Sequence, residues 1–412
     1  MQFAKEDAMS QTSAGATRRI AFLDHVRYLM VLFVVVYHSV AAYCTVAPHW
    51  GIHDTQFLAA DTIRELLDVF MMPVLFFVAG YFALPSLEKR GIREFLRDKA
   101  TRLLIPWAVL VLVVTPLVFY DQPDQLVRPF RSYWLWYVGR FQGQLGFLLP
   151  TQPNQNIFWF LSLLFIFFVL FALVRVATRR WWGQADLAPR ATRHSPFSAL
   201  ALFGLLTFAA YFVGLLLFPD TSWFTLGLVL QFEPTRLALL AGYFALGVYA
   251  QSHEWFAQED RLGSPILWGA LSAALAVVYL VVGQRVFADP AGTPHLAVGY
   301  LLAFAFVRSF LLLSLLIAFI SFGVRYWNRS RGLDRQLASA SYNMYLTHIW
   351  FVVLPQAALL GWMGSPVLKS AVVLLAASTV SFALSRWVIG RWPRVVVAVL
   401  LALFVFCLVV RP

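Results

Sequence analysis

The sequence predicts an all-α polytopic membrane helical bundle of about ten or eleven transmembrane helices with a cytoplasmic N-terminus. Three observations carry that reading. Of the 412 residues, 60% are hydrophobic and only 13% are charged, whereas a soluble domain carries roughly 25% charged residues. Mean hydropathy is +0.72, and the apolar residues gather into runs near the roughly 20 residues that a bilayer core requires. The basic residues concentrate in alternate connecting segments, as the preference for positive charge on the cytoplasmic side demands.

In order, the apolar runs are 26–46, 64–84, 103–120, 157–177, 197–218, 235–251, 265–283, 297–322, 340–360, 367–389 and 394–410. The first follows Arg18 and Arg19 and has Asp24, His25 and Arg27 at its edge. Tyr43 occupies the small-residue position of Ala41-Ala42-Tyr43-Cys44, so no cleavage site follows cleanly and the run reads as a retained helix. Lys89, Arg90, Arg93, Arg97, Lys99 and Arg102 follow the second run, and Arg325, Arg329, Arg331 and Arg335 follow the eighth. The segment 121–156 is the longest expected outside loop. It holds Tyr133, Trp134, Trp136, Tyr137, Gln142, Gln144, Gln152 and Gln155, residue types suited to a membrane interface or to stacking on sugar faces. The sixth run is short, and Trp223–Phe232 before it is apolar enough to be re-entrant or interfacial.

With the N-terminus inside, the inner segments hold about 21 Lys and Arg and the outer ones about five, a bias that sets orientation. The 252–264 loop runs against it, carrying Glu254, Glu259 and Asp260 beside Arg261. A net charge of +12 therefore marks membrane topology and not a nucleic-acid footprint, since no soluble domain gathers the basic residues. Two cysteines, Cys44 and Cys407, give no disulfide or metal framework. The layout is a cytoplasmic tail at 1–20, one membrane domain at 21–393 and an additional C-terminal transmembrane helix at 394–412.

Ionisable groups inside spanning segments cost roughly 2.5–3.5 kcal/mol each on insertion scales and usually face a cavity or a partner. Four sets stand out. Arg27 and His38 are eleven residues apart, within about 20° of three full turns and roughly 16 Å along the axis; Asp24 falls within about 60° of the same face. The bland alternative makes Arg27 a snorkelling flank and His38 a packed core histidine. In the ninth run Ser341, Tyr345 and His348 stack on one face beside Asn343, too polar for lipid; interhelical hydrogen bonding is the alternative. Lys99 and Arg102 close the basic stretch before the third run. They are either ordinary inside charge or a seat for an anionic ligand such as a nucleotide's phosphates. Asp68 and Glu233 sit at helix borders, solvated or orienting a histidine.

These residues resemble the acyltransferase-3 family of bacterial membrane acyltransferases. The resemblance rests on Leu23-Asp24 with the Arg27-to-His38 spacing, on Phe76-Phe77-Val78-Ala79-Gly80-Tyr81-Phe82, and on Arg102-Leu103-Leu104-Ile105-Pro106. Phe158-Trp159-Phe160-Leu161 and Ser341-Tyr342-x-x-Tyr345-Leu346-x-His348 complete it, in order, from about residue 20 to 394. Met71-Met72-Pro73 looks most like the branch of the glucans-biosynthesis C proteins, whose activity is succinyl transfer onto periplasmic glucans. The resemblance implies an acyl group, acetyl or succinyl, carried from cytoplasmic acyl-CoA to a hydroxyl of an extracytoplasmic glycan at the bacterial inner membrane. It implies no permanently bound cofactor; acyl-CoA is the donor substrate, and membrane lipid and the glycan are the other partners. Arg27 and His38 match the family's functional pair, Lys99 and Arg102 its basic motif, and His348 its late histidine. Two departures stand: Pro73 occupies a position where the family often has an acid, and the family's chain usually ends soon after the tenth helix.

Such a transfer needs a base, oxyanion donors and a meeting place for donor and acceptor. A neutral imidazole is the natural base, which makes His38 the expected one, with a covalent acyl-histidine as the variant. Tyr345, Asn343 or His348 are the candidate oxyanion donors. A multi-pass transporter or flippase, using the same intramembrane groups as a substrate or proton path, is the alternative; it is disfavoured by the absence of an inverted repeat. An envelope assembly protein is a third reading.

Overall fold

The computed structural model describes residues 20–45, 50–120, 129–142, 149–151, 155–182, 196–226, 229–256, 261–288, 296–329 and 331–410. The N-terminal tail to residue 19, Gln144, Gln152, Glu259 and Asp260 lie outside the described residues, as does the side chain of Gln142. Among the described residues nine helices are long and apolar enough to cross a membrane. The protein is an all-α, multi-pass membrane bundle.

The chain opens with α1 (Ala21–Ser39) and α2 (Leu58–Tyr81). An elbow of two short helices, α3 (Ala83–Arg90) and α4 (Ile92–Lys99), turns at Gly91, whose φ of 75° favours glycine. The helical run then continues through a wide π turn, Ala100–Leu104, to α5 (Ile105–Val109), and through a second, Leu110–Val114, to α6 (Thr115–Phe119). Each π turn ends just before a proline, Pro106 or Pro116. Proline has no N–H to give and crowds the preceding turn, and the wider turn relieves both.

Next come α7 (Phe130–Gln142), α8 (Trp159–Trp182), α9 (Pro196–Leu217) and α10 (Pro234–Ser252). They are followed by α11 (Pro265–Ala288), α12 (Val298–Tyr326), α13 (Gly332–Ala358) and α14 (Pro366–Ala383). A π turn, Leu384–Ile389, ends α14, and α15 (Pro393–Val410) closes the chain. Proline opens α9, α10, α11, α14 and α15, where its fixed φ suits a helix start and its missing N–H would be unpaired anyway.

Two of the expected spans, α10 and α13, are helices of 19 and 27 residues that fall outside the nine. In α13 the reason is composition, because Ser341, His348 and Gln356 are buried on its inward face. It nevertheless runs parallel to α1 along that helix's length. Arg27, early in α1, donates to Ala338 O at 3.1 Å, and the carbonyl of His38, at its end, accepts from Gln356 Nε2 at 3.1 Å.

The segment Trp223–Phe232 holds two paired strands. Strand β2 (Trp223–Leu226) pairs antiparallel with β3 (Leu230–Phe232) and with β1 (Leu149–Thr151), so that Phe224 faces Phe232 on one side and Pro150 on the other. Pairing satisfies backbone groups that a short apolar loop would leave open.

Helices α2 and α10 touch backbone to backbone. A Cβ on Gly80 would lie 2.0 Å from Phe244 O, and one on Gly247 would lie 2.1 Å from Phe77 O. The glycine of the Phe-Phe-Val-Ala-Gly motif is thus a packing requirement, the close approach that small residues allow between membrane helices. Helices α1, α13 and α14 form a second unit, joined by Val35, Val352, Val373 and Ala377.

The aromatic stretch expected as an outer loop contains α7. It lies against the bundle, with Tyr133 and Tyr137 buried, Tyr137 Oη donating to Val111 O at 2.9 Å and Trp134 Nε1 donating to Leu112 O at 3.0 Å. Trp136 is left exposed. Helix α15 is mostly exposed; Phe404 is buried, its ring meeting Phe130 and Trp134 of α7 at 5.8 and 5.6 Å, and Leu400, Cys407 and Leu408 are half-buried beside it.

Candidate functional site

His38 lies in the last turn of α1 and His348 in the outward half of α13. Both are buried, and their ring centroids are 5.2 Å apart. His38 Nδ1 is 2.8 Å from Val34 O, and His348 Nδ1 is 2.8 Å from Tyr345 O. A carbonyl oxygen only accepts, so each Nδ1 carries the proton. His348 Nε2, 3.3 Å from His38 Nδ1, is then an acceptor sharing that proton with Val34 O. This tautomer leaves the lone pair of His38 Nε2 as the pair's basic position.

A third residue holds His38 in place. Gln356, two turns beyond His348 and buried, donates through Nε2 to His38 O at 3.1 Å and Ser39 O at 3.2 Å. These are carbonyls at the end of α1, where the helix itself supplies no donor. Its Oε1 accepts from Trp50 Nε1 at 2.9 Å, and the Trp50 ring stacks on His38 at 5.5 Å and 30°. One amide therefore fixes both the backbone under the imidazole and the indole over it. The loop bearing Trp50 is latched by Lys369, whose Nζ donates to Asp54 Oδ2 at 2.7 Å. Burial would push the Asp54 carboxyl up, but hydrogen bonds from Lys369 and from the Thr55 N–H hold it below the usual carboxylate range.

Asp68 and Glu233 meet in one buried network. Arg236 Nη1 reaches Asp68 at 2.8 Å and Glu233 at 2.9 Å, and its Nη2 reaches Asp220 at 3.2 Å. Arg308 adds a pair to Asp68 at 3.1 Å and a hydrogen bond to Tyr279 Oη at 2.9 Å. Tyr211 and Thr235 each donate to Asp220 Oδ1 at 3.0 Å. Burial pushes the Glu233 carboxyl up, to about 8, and the neighbouring acids add to the rise against the pull of Arg236. Asp220 goes the other way: burial raises it, but Arg236 and Arg308 hold it below the carboxylate range. With Glu233 protonated, two guanidinium groups face two carboxylates.

On the side bearing the start of α1, Arg27 pairs with Asp24 at 3.1 Å, and the Ala338 carbonyl that it bonds also accepts from Ser341 Oγ at 3.0 Å. The structure thus brings Asp24, Arg27 and Ser341 together. Arg102 pairs with Asp98 at 3.0 Å, as does Arg90 at 2.7 Å. A cavity of about 490 Å³ is lined there by Arg90, Glu94, Arg97, Asp98, Thr101 and Arg102. Lys99 is not in that lining; its Nζ lies over the Phe168 ring at 4.4 Å. Tyr345 Oη donates to Ile157 O at 2.6 Å, so its proton is committed. Asn343, five residues before His348, is about 140° around α13 from it. Asn343 thus lies away from the histidine pair, whereas the Tyr345 ring packs 5.9 Å from that of His348.

Arg236, Arg308, Asp220, Gln356 and Trp50 were not among the residues expected from the sequence. Arg308 carried a usable signal, a lone guanidinium deep inside the eighth apolar run. The others lie in loops or at helix ends, where polar residues are ordinary. Among the described residues no group of three or more His, Cys, Asp or Glu is placed to hold a metal ion.

A multi-pass helical bundle with a braced histidine pair between its first and ninth spans defines a membrane protein built around buried chemistry. Residues 20–411 match the acyltransferase-3 family, described as an acyltransferase domain, a stretch that includes α15. The chain belongs to that family and is a membrane acyltransferase. Among curated proteins no significant sequence match was found.

Proposed function

We propose that this acyltransferase takes an acyl group from acyl-CoA on the cytoplasmic side of the bacterial inner membrane and delivers it to a hydroxyl of an extracytoplasmic glycan. The observation that carries the reading is the tautomer of the histidine pair, which leaves His38 Nε2 unprotonated at the end of α1 remote from the N-terminus. The acceptor hydroxyl gives its proton to Nε2 as its oxygen bonds to the thioester carbonyl carbon. The tetrahedral intermediate collapses by breaking the carbon–sulfur bond, and the CoA thiolate takes the proton back from Nε2. His348 holds the ring through the shared Nδ1 proton and so favours the reactive tautomer.

Support for the donor side comes from the charge bias that puts the start of α1 in the cytoplasm, together with the arginine-lined cavity there. Guanidinium groups suit phosphates through paired N–H donors, so Arg90, Arg97 and Arg102 are assigned to CoA's phosphates, with Lys99 behind them. Arg27, paired with Asp24 and sharing the Ala338 carbonyl with Ser341, is assigned to the donor as well. Asp68 and Glu233 are assigned to holding the acceptor end of the bundle in shape. The acyl group is acetyl or succinyl, the latter if the likeness to the glucans-biosynthesis C branch extends to substrate.

The test is thioester cleavage by the purified protein given acyl-CoA and a glycan. His38→Ala abolishes transfer, a loss of at least about 10²–10⁴ for a general base, while expression and membrane insertion persist; Arg27→Ala chiefly raises the donor requirement. Wild-type activity in a well-inserted His38→Ala protein overturns the assignment.

A further inference from the structure

Helix α14 carries a buried ridge at every fourth residue: Lys369, Val373, Ala377, Ser381 and Ser385. Four-residue spacing places successive side chains next to each other, in a ridge that winds by about 40° per step. At its outer end Lys369 latches the loop over His38. Val373 and Ala377 pack on Val35, three residues before His38, and on Val352, four residues after His348. Ser381 and Ser385 lie farther toward the basic side, about 6 and 12 Å along the axis from Ala377. That is the interval spanned on α1 between His38 and Arg27.

Those two hydroxyls are 0% and 2% exposed, and among the described residues neither Oγ has a hydrogen-bond partner. Among the described buried helical serines only Ser309 shares that state. Ser39, Ser321 and Ser341, also buried in helices, each give the hydroxyl to a carbonyl one turn back. Ser385 sits in the π turn Leu384–Ile389, which packs on α13, and such turns recur at functional positions. Arg27 Nε is likewise buried without a partner, as are the Nε atoms of Arg175, Arg236 and Arg308 elsewhere. Unmade hydrogen bonds at buried positions are costly to keep, and here three of them line one three-helix unit.

We infer that the seam between α14 and α13 receives the pantetheine arm of the donor, with Ser381 and Ser385 bonding its two amide groups. This rests on the acyl-CoA reading above and deepens it: phosphates at the basic cavity, amides along the seam, thioester at His38. The arm is an extended chain whose polar groups would be stranded in a bundle core, and two spare hydroxyls along one ridge supply partners for them.

The test is a donor titration of Ser381→Ala, Ser385→Ala and the double variant, in purified protein. Removing an unsatisfied hydroxyl leaves the fold at least as heat-resistant as wild type. Losing the bond to the arm raises the KM for acyl-CoA about three- to tenfold per serine, with kcat and the acceptor KM within about twofold. Competitive inhibition by adenosine 3′,5′-bisphosphate, which has the phosphates and lacks the arm, keeps its wild-type constant. Ser385→Thr retains the hydroxyl and restores the donor KM. An unchanged donor KM in the double variant overturns the seam assignment alone, as does an equal weakening of acyl-CoA and the bisphosphate. Wild-type protein that does not use acyl-CoA overturns both the seam and the donor reading.

Discussion

Two polar clusters sit inside this bundle, and they are built on opposite terms. Around Arg236 the ionised groups are paired: Asp68 and Asp220 face Arg236 and Arg308 at about 3 Å, Glu233 joins Arg236, and Tyr279, Tyr211 and Thr235 fill further positions, while the orphaned atoms there, Arg236 Nε and Arg308 Nε, are donors without a lone pair. Around His38 the ring is held from below, above and the side, yet one nitrogen is left uncommitted. A cluster of paired charges has no free base to offer a substrate. A held ring with a spare lone pair does. Burial and ionisability alone do not separate the two; an uncommitted basic nitrogen does.

Arg236→Ala gives the largest expected effect. It leaves buried Asp220 without its ion-pair partner and Asp68 with Arg308 alone, and removing one partner of a buried ion pair costs about 3–5 kcal/mol. Thermal unfolding in detergent should show a large loss of stability or failure to accumulate; a variant as stable as wild type would break the contrast.

His348→Ala comes next and should behave oppositely. It removes the acceptor of a long, shared hydrogen bond and leaves a small cavity, so the fold survives. Transfer falls about a hundredfold because the His38 ring is no longer held in the reactive tautomer. Should it unfold like Arg236→Ala, the histidine pair would be structural as well.

Glu233→Gln is the smallest and the sharpest. In the folded protein its carboxyl titrates near 8, against 4.5 when unperturbed. The folded state therefore holds a proton that the unfolded state has lost over that window. Stability from this group is full below about 4.5 and drains as pH rises toward 8. Melting temperature measured from pH 5 to 8 should fall more steeply in wild type than in Glu233→Gln; identical slopes would show the carboxyl to be ionised throughout.

The helices and the faces that bear the two histidines are readable in the sequence, because each depends on spacing within one helix. Arg27 and His38 share a face by helical arithmetic, and Ser341, Tyr345 and His348 do likewise. What escaped depends on pairing between distant elements. Asp68 was recognised as an acid at a border, but Arg236 answers it from 168 residues away. Gln356 reads as an ordinary polar residue after Pro355 until it is seen capping α1 across 318 residues. The strand pair at 223–232 was hidden for another reason: its few apolar residues have no helical or alternating period long enough to distinguish strand from interfacial helix. The eleventh helix, unexplained from sequence, finds its contact at Phe404, against an amphipathic segment that itself read as loop.

The glycine crossing of α2 and α10 has a mechanical consequence. Two helices with main chains in contact at Gly80 and Gly247, riveted again by Arg236 to Asp68, cannot slide or splay without breaking van der Waals contact along the whole line. They form a rigid plank through the molecule. Any rocking that lets a bulky molecule reach the interior must hinge around that plank, leaving it intact and using other helix faces as the slip plane.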